Sequence, residues 1–434
     1  MGRGGWPRFR SAPLAWGLVL ALLLACLAGQ RAWTRPAIPV RVLMPAPFAE
    51  ATAPLVADFN HRQRAIRIQV TRGPFETEMV SDLAISSLLL GDSPYDLLLM
   101  DVTWTAKYAR AGWLLPLDDW LGTDALEPLV AGARAGNRID GRLWRLPLVA
   151  DMGLLYYRSD LMEQPPRTPA ELEATAQRLQ ESGQVRWGYL WQGRQYEGLS
   201  CVFAELIEAF GGHWSLASDQ PDAGSGTLGL DAPAAREAAG WLRHLVEAGI
   251  SPAAVASFAE PEALQSFESG EAAFMRNWPY AWQELQREGS TVAGRVGVTT
   301  MVADPSGRSA ATQGSWGLAV LAGSPHPAEA VAVLQALTGE ASQRQLVERY
   351  GYTPTLRALF NDPELVAQRP LLPVLRAALE RVVMRPITPA YAQLSDILQR
   401  QLSAVIAGDR PAAAAMPQAG EASAQLLAAQ GVVP

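Results

Sequence analysis

The fold is decided by three short apolar runs, VRVLM at residues 40–44, IRIQV at 66–70 and LLLM at 97–100. Each run has the length of a strand, and the segments between them, 50–61 and 75–90, carry apolar residues at helical spacing. Strands that alternate with helices in this way predict a parallel sheet covered by helices on both faces. In such a sheet, ligands bind beyond the carboxyl ends of the strands.

Size and charge narrow the classes of function. A chain of 434 residues is long enough for two domains, and with 49% hydrophobic and 18% charged residues it is globular. Its formal net charge of −7 is unsuited to a nucleic-acid partner, which requires a basic surface. The two cysteines are far apart and the four histidines are scattered, so we predict no metal site and no cofactor.

The first 25 residues are typical of a bacterial export signal. Three arginines and no acid precede an apolar run at 14–25, which is shorter than a membrane-spanning helix. The run ends in Leu-Leu-Ala-Cys, which resembles the site at which bacterial lipoproteins are cleaved and lipidated. We therefore predict a signal peptide over 1–25, a lipid anchor at Cys26, a tether over 26–37 and a location outside the cytoplasmic membrane. Simple cleavage without lipidation is the alternative.

Two acids follow predicted strands at the edge where a ligand is expected: Glu50 after the first run and Asp101 directly after the third. Trp104 lies three residues beyond Asp101, at helical spacing. Carboxylates accept hydrogen bonds from sugar hydroxyls, and an indole covers the apolar face of a sugar ring. A carboxylate at this place can equally cap the following helix, so the pattern leaves both roles open.

Several of the 14 tryptophans lie outside periodic apolar stripes. Trp191 precedes Gln-Gly, Trp278 precedes a proline, and Trp316 stands among glycines. These neighbours predict that the indoles lie on turns, where binding residues concentrate. Each indole, taken alone, can equally belong to the core.

Further along the chain lie several short stretches whose order and spacing, taken together, are specific. They are DVTW (101–104), AGWLLPLD (111–118), DMGLLYYR (151–158), WQGRQYEGL (191–199), AFMRNWPY (273–280), GSWG (314–317) and RPITPAY (385–391). On these stretches the chain resembles the extracellular solute-binding proteins of ABC sugar importers. The likeness is to the trehalose/maltose-binding branch, which includes cyanobacterial proteins for glucosylglycerol, sucrose and trehalose, and it covers about residues 40–408.

The resemblance implies a periplasmic-binding-protein type II fold, in which two α/β lobes close around a hinge that the chain crosses several times. By the same resemblance, lobe one holds residues 38–147 and 312–354. Lobe two then holds residues 148–311 and 355–434.

The resemblance also implies which residues contact the ligand. The implied contacts are the acids Glu50, Asp101, Asp151 and Glu197, the aromatic residues Trp104, Tyr196, Trp278, Tyr280 and Trp316, the glycine Gly314 and the arginine Arg385. Tyr196 and Glu197 belong to a Tyr-Glu-Gly-Leu signature and can equally support the pocket from behind. Ser315 stands where relatives often have glycine, which puts the size or pose of the ligand in question.

The implied function is that of a binding protein and not of an enzyme. The protein would capture a small glucoside or disaccharide, such as trehalose, glucosylglycerol, sucrose or maltose, and deliver it to permease subunits that work with an ATPase. Two alternatives remain at this point. The ligand can be a solute of another class, such as a polyamine, or the acids can supply the carboxylate pair of a secreted glycoside hydrolase.

Overall fold

The computed structural model describes residues 1–2, 36–91, 93–216 and 228–431. The predicted signal peptide from residue 3 onward, Cys26 and the tether up to residue 35 lie outside the described residues. Within the described part of the chain, we find no helix with the length and apolar character needed to cross a membrane.

The secondary structure alternates between strands and helices along most of the chain. The strands are β1 (Ile38–Met44), β2 (Ile66–Arg72), β3 (Leu97–Asp101), β4 (Arg138–Ile139), β5 (Arg142–Leu143), β6 (Leu146–Met152), β7 (Leu154–Arg158), β8 (Trp187–Leu190), β9 (Ala272–Asn277), β10 (Val296–Thr299), β11 (Ala311–Val320) and β12 (Val382–Val383). The first α-helices are α1 (Ala46–Arg62), α2 (Thr77–Leu89), α3 (Thr105–Arg110), α4 (Asp118–Leu121), α5 (Ala131–Arg134), α6 (Pro169–Glu181), α7 (Glu197–Ala209) and α8 (Pro233–Glu247). The remaining ones are α9 (Glu260–Glu268), α10 (Ala281–Leu285), α11 (Pro327–Thr338), α12 (Glu340–Tyr350), α13 (Arg357–Phe360), α14 (Pro363–Gln368), α15 (Leu372–Leu379), α16 (Tyr391–Ala407) and α17 (Ala412–Ala429). Short 3-10 helices cover Val102–Trp104 and Ala253–Ser257.

The first sheet has the strand order β12-β11-β3-β1-β2, and β6 also pairs with β11. As predicted, β1 runs parallel to both β2 and β3. The side chains of β3 are all buried: Leu97 and Leu99 pack into one apolar cluster, and Leu98 and Met100 into another. Because successive side chains point to opposite faces, this burial shows that both faces of the sheet are covered.

The alternation of strands and helices predicts a sheet that is parallel throughout, and this prediction is wrong. Strand β11 runs antiparallel to β3 and to β6. It belongs to a segment 210 residues further along the chain than β3, so the local pattern of residues 38–101 carries no information about its direction.

The second sheet has the strand order β10-β7-β9-β8. Helices α7, α8, α16 and α17 pack together beside it around their own apolar cluster. We call the unit built on the first sheet lobe one and the unit built on the second sheet lobe two. Helix α15 packs against β6, β11 and α5, so in the division that we propose residues 357–383 belong to lobe one, although the resemblance places them in lobe two.

The chain crosses between the sheets at Gly153, again between β10 and β11, and again after β12. Gly153 is required sterically, because a Cβ there would overlap the carboxylate of Glu205. That carboxylate forms an ion pair with Arg276 at 2.6 Å, and both side chains are fully buried. Glu205 Oε1 also accepts a hydrogen bond from the backbone N of Thr312 on β11 at 3.2 Å. A buried charge pair therefore joins two of the crossings, and we call it the hinge pair.

Candidate ligand-binding site

A cavity of about 510 Å³ lies between the two lobes. On the side of lobe one, its walls are the start of α2 and residues 101–107, beyond the carboxyl end of β3. On the side of lobe two, they are residues 194–197 and the start of α16. The volume falls within the range of small-molecule sites. The cavity lies where ligands bind in open α/β sheets, beyond strand ends.

Arg385 joins the two lobes beside this cavity. Its Nη2 lies 3.2 Å from Asp101 Oδ1 at the end of β3, and its Nη1 lies 2.6 Å from Glu197 Oε1 at the start of α7. Nη2 also donates to the carbonyl of Gln313 at 3.1 Å. Burial disfavours the charged guanidinium, but Asp101 and the other acids nearby hold the pKa of Arg385 well above its ordinary value. We call Asp101, Arg385 and Glu197 the cleft bridge.

Of the two roles that its sequence context left open, Asp101 has the capping role in the structure, and its role as a ligand contact stays a prediction. Its Oδ1 accepts hydrogen bonds from the backbone N of Thr103 at 2.9 Å and from the Thr103 hydroxyl at 2.7 Å, so it caps the 3-10 helix that follows β3. The same oxygen is the one that meets Arg385. Since these bonds with described residues all fall on Oδ1, Oδ2 can accept a hydroxyl from a ligand.

Glu197 is held by a second set of donors from α16. Its Oε1 accepts the hydroxyl of Tyr391, and its Oε2 accepts the hydroxyl of Ser395 at 2.7 Å. Burial and the adjacent Glu197 raise the pKa of Tyr391 well above its ordinary value, so the phenol keeps its proton. Tyr391 lines the cavity and was not among the predicted contacts, although it ends the stretch 385–391 on which the resemblance was based.

The lobes also meet at the entrance to the cavity. Glu78 at the start of α2 accepts the backbone N of Glu197 at 3.3 Å, and Glu76 lies 3.8 Å from Arg194. Burial, followed by the neighbouring Glu197 and Asp101 carboxylates, raises the pKa of Glu78. Acid is therefore concentrated at this side of the cleft.

An aromatic group adjoins the acids on the side of lobe one. Trp104 lines the cavity and meets Trp316 edge-on, with ring centroids 5.6 Å apart, and Trp316 in turn lies 5.3 Å from Phe48. Trp316 pairs with Asp101 across β11 and β3. The expectation that Trp316 lies on a turn is wrong: it lies within a ten-residue strand, and its glycine neighbours let other chain segments approach that strand closely.

Neither Trp278, which directly follows β9, nor Trp191 lines this cavity. The Trp191 side chain is fully buried and donates to the Ser251 hydroxyl at 3.0 Å, so the core reading holds for it. Trp278 lies against Gly314, where a Cβ would be 2.8 Å from the indole. The Arg276 guanidinium lies 4.0 Å from the centroid of the same indole.

Ser315 has a different consequence from the expected one. Its hydroxyl lies 2.8 Å from Arg145 Nη2 and 3.2 Å from the carbonyl of Val149, and its side chain is fully buried. Arg145 also donates to Asn137. The Ser315 side chain therefore packs against Arg145 on the face of β11 opposite to its neighbour Trp316. Its hydroxyl does not line the cavity.

The remaining predicted contacts lie away from this cavity. Asp151 is half-buried, its Oδ1 has no hydrogen-bond partner among the described residues, and burial raises its pKa to about 7. It pairs with Gly314 across β6 and β11. Tyr280 is half-buried before α10, and burial, then Glu260, raises its pKa. Glu50 forms an ion pair with Arg72 at 2.8 Å in which both side chains are about two thirds exposed.

The structure therefore brings part of the predicted set together. Asp101, Trp104, Tyr196 and Glu197 line the cavity, and Arg385 binds two of them. Within the ranges that the structure describes, no group of His, Cys, Asp or Glu side chains is arranged to hold a metal ion.

Comparison with known proteins identifies the family. The family described as bacterial extracellular solute-binding protein matches residues 45–344. The chain belongs to this family. The bacterial extracellular solute-binding proteins similar to it include a Deinococcus radiodurans protein named "Probable ABC transporter-binding protein", 32% identical over 362 residues, which are 81% of this chain and 84% of that protein.

Two further proteins show the range of similar proteins. The mannitol-binding protein of Pseudomonas aeruginosa is 27% identical over 71% of this chain and 72% of its own length. The structure of maltose-bound T. maritima MalE3 superposes with a TM-score of 0.83 at 29% identity, covering 90% of this chain and all of that chain. The predicted type II periplasmic-binding-protein fold is thereby confirmed.

Proposed function

We propose that this protein is the solute-binding component of an ABC importer and that it captures a small sugar outside the cytoplasmic membrane. The candidate ligands are a glucoside or disaccharide: trehalose, glucosylglycerol, sucrose or maltose. The observation that carries the proposal is the cavity between the lobes, in which the carboxylates of Asp101 and Glu197 lie beside the Trp104 indole and the Tyr391 phenol.

This combination suits a neutral, hydroxyl-rich molecule. A carboxylate accepts hydrogen bonds from hydroxyls, Arg385 donates to them, and an aromatic ring covers the apolar face of a pyranose. Each hydrogen bond to a charged group contributes roughly 1.5–3 kcal/mol. Two or three such bonds, with stacking, reach a dissociation constant of about 1 μM after the costs of association.

Transport would use the position of the site between the lobes. Because residues of both lobes line the cavity, a bound ligand favours the closed arrangement of the lobes. In this proposal permease subunits recognise that closed arrangement and an ATPase drives import. Lipidation of Cys26 would keep the protein at the membrane surface.

The names of relatives support a sugar or a polyol. A relative from Pyrococcus abyssi, 24% identical over 69% of this chain and 62% of its own length, is named a maltotriose-binding protein. Others are the mannitol-binding and maltose-bound proteins described above. The trehalose/maltose branch and the particular glucoside are our proposals.

A cationic solute such as a polyamine is the second candidate. From the sequence, Arg385 argues against a cation, but in the structure its charge is matched by Asp101 and Glu197. The cavity wall also carries Glu78 and Asp82, which give it a surplus of negative charge. Because of this surplus of negative charge, we include a polyamine among the candidate ligands to be tested.

The test is a thermal-shift screen of the protein from residue 27 onward. The panel holds trehalose, glucosylglycerol, sucrose, maltose, glucose, mannitol, glycine betaine and spermidine. A ligand at 100 times its dissociation constant adds about 2.7 kcal/mol of stability, which is readily detected. A shift with one or two glucosides supports the proposal, and a shift with spermidine alone overturns it in favour of a cationic solute. Release of glucose from the disaccharides would instead indicate a hydrolase.

A further inference from the structure

One carboxylate holds two of the predicted ligand contacts in lobe two. Glu260, the first residue of α9, accepts the indole Nε1–H of Trp278 on Oε1 at 2.9 Å. Its other oxygen, Oε2, accepts the hydroxyl of Tyr196 at 2.7 Å. No sequence motif pointed to Glu260, because its two partners lie 64 and 18 residues away along the chain.

The backbone beside Trp278 is held as well as its ring. Asn277 Oδ1 accepts the backbone N of Trp278 at 2.8 Å, and Asn277 Nδ2 donates to the carbonyl of Glu260 at 3.3 Å. Tyr156 donates its hydroxyl to the Trp278 carbonyl at 2.8 Å. The Arg276 guanidinium lies over the ring, 4.0 Å from its centroid. The bond to Glu260 restrains the rotation of the indole about its side-chain torsions.

The bond from Tyr196 to Glu260 affects the cavity wall, because Tyr196 lines the cavity. Tyr196 immediately precedes Glu197, and its ring packs so closely on Gly198 that a Cβ there would overlap it. Burial, followed by the Glu260 carboxylate, raises the pKa of Tyr196 well above its ordinary value, so the phenol remains a donor. The direction in which α7 begins, and with it the position of the Glu197 carboxylate, thus depends on where Tyr196 is anchored.

We propose that Glu260 is a positioning residue of lobe two, which orients the Trp278 indole and, through Tyr196, sets the place of Glu197 in the cavity wall. The inference rests on the proposed function, because it concerns the contacts of that same ligand. A carboxylate is suited to the role, since it offers two acceptor oxygens to two donors. The indole N–H is a donor only, whereas a tyrosine hydroxyl can also accept.

The chain supplies a matched control in the same lobe. Glu173 accepts the indole Nε1–H of Trp241 at 3.0 Å and bonds His244 Nε2 at 2.8 Å. Neither of these partners lines the cavity, whereas Tyr196, a partner of Glu260, does. Glu173→Ala removes the same kind of bond without touching the site. Glu260→Gln keeps an acceptor for Trp278 and a donor for the Tyr196 hydroxyl, so it tests rescue by a conservative change.

The first measurement needs no ligand. Hydrogen exchange of the indole N–H of Trp278 is followed by NMR in the unliganded protein, with its signal assigned by the loss seen in Trp278→Phe. We expect Glu260→Ala to accelerate this exchange at least tenfold, and Glu260→Gln and Glu173→Ala to leave it within about threefold of the wild-type rate. Unchanged exchange in Glu260→Ala overturns the proposal. If that variant does not fold, Glu260→Met, which preserves the side-chain length, replaces it.

The second measurement is calorimetric titration of the same variants with maltose and trehalose. Glu260→Ala should weaken binding at least tenfold, Glu260→Gln by about threefold or less, and Glu173→Ala by less than twofold. Equal losses in Glu260→Ala and Glu173→Ala would show a merely structural role and overturn the proposal. If the wild type binds neither sugar, nor any other sugar of the panel, the proposed function fails, and the exchange measurement alone decides whether Glu260 anchors Trp278.

Discussion

The hinge pair and the cleft bridge each contain a buried arginine, but they differ in how completely it is satisfied. Arg276 meets Glu205 through two bonds of 2.6 and 3.0 Å, and both side chains are 0% exposed. Arg385 is divided between Asp101 and Glu197, whose side chains are 9% and 20% exposed. Its Nε has no partner among the residues that the structure describes.

This difference distinguishes an arginine that holds the hinge together from one that belongs to the proposed binding site. A pair with complete bonds and no exposure cannot exchange partners without leaving a bare charge in the protein. A bridge whose two acids are partly exposed and line a cavity can share those acids with an incoming hydroxyl. The two arginines therefore have similar burial but different roles, one in the structure of the hinge and the other in the proposed site.

The largest effect is expected at the hinge pair. Glu205→Ala leaves the Arg276 guanidinium buried without a counter-charge and removes the acceptor for the backbone N of Thr312. We expect a loss of about 3–5 kcal/mol in the free energy of unfolding, measured by urea denaturation of the unliganded protein. A loss below about 1 kcal/mol would contradict the structural role of the pair.

The next effect is expected at the cleft bridge and concerns binding. Asp101→Ala should yield a folded protein whose ligand-induced thermal shift is lost, because the carboxylate contributes roughly 1.5–3 kcal/mol of affinity. Trp278→Ala should behave in the same way through loss of its stacking surface. Wild-type affinity in both variants would eliminate the proposed contact set. A stability loss in Asp101→Ala as large as that in Glu205→Ala would remove the distinction between the two clusters.

Asp151 extends the comparison to a carboxylate whose Oδ1 is shielded and has no hydrogen-bond partner among the described residues. Its folded-state pKa of about 7 lies above the ordinary value of 3.8, so the folded protein binds the extra proton between these values. The free energy of unfolding should therefore fall as the pH rises from about 4 to 7. Asp151→Asn, which cannot ionise, should be more stable relative to wild type at pH 8 than at pH 4.

This pH dependence is measured as the difference in urea stability between wild type and Asp151→Asn at the two pH values. We expect it to be smaller than the effect at the hinge pair, because Asp151 is only half-buried. The surface variant Glu50→Ala is the control for general effects of removing a carboxylate. A constant difference at both pH values would show that folding does not raise the pKa of Asp151.

The smallest effect is expected at Glu50 itself. Its ion pair with Arg72 is exposed, and pairs of this kind contribute about 0–1 kcal/mol. Glu50→Ala should change the stability by no more than about 0.5 kcal/mol and the ligand affinity by less than twofold. A loss of binding would return Glu50 to the contact set that the resemblance implies.

How far the site follows from the sequence depends on the distance between partners. Asp101 was found because it directly follows an apolar strand, and its bond to Thr103 is local. Its bond to Arg385 spans 284 residues. From the sequence, Arg385 can be proposed as a ligand contact only because it lies in the stretch 385–391 on which the resemblance is based. Glu260 carries no motif, so neither spacing nor composition could reveal it.

The elements that depend on neighbouring residues can be predicted from the sequence. These are the strands and helices of residues 38–101, the parallel pairing of the first three strands, and the acid Asp101 at the end of the third. Periodicity and strand ends are local properties, and burial of one face follows from them.

Features that depend on chain segments far apart came from the three-dimensional packing of the chain. It made β11 antiparallel, put Trp316 within that strand, turned Ser315 towards Arg145 and assigned Glu50 to Arg72. It also decided that Arg276 is enclosed by the hinge while Arg385 binds two acids that line a cavity. The reason is physical: the partner and the exposure of a charged side chain are set by the packing of non-local segments, which local residue patterns do not specify.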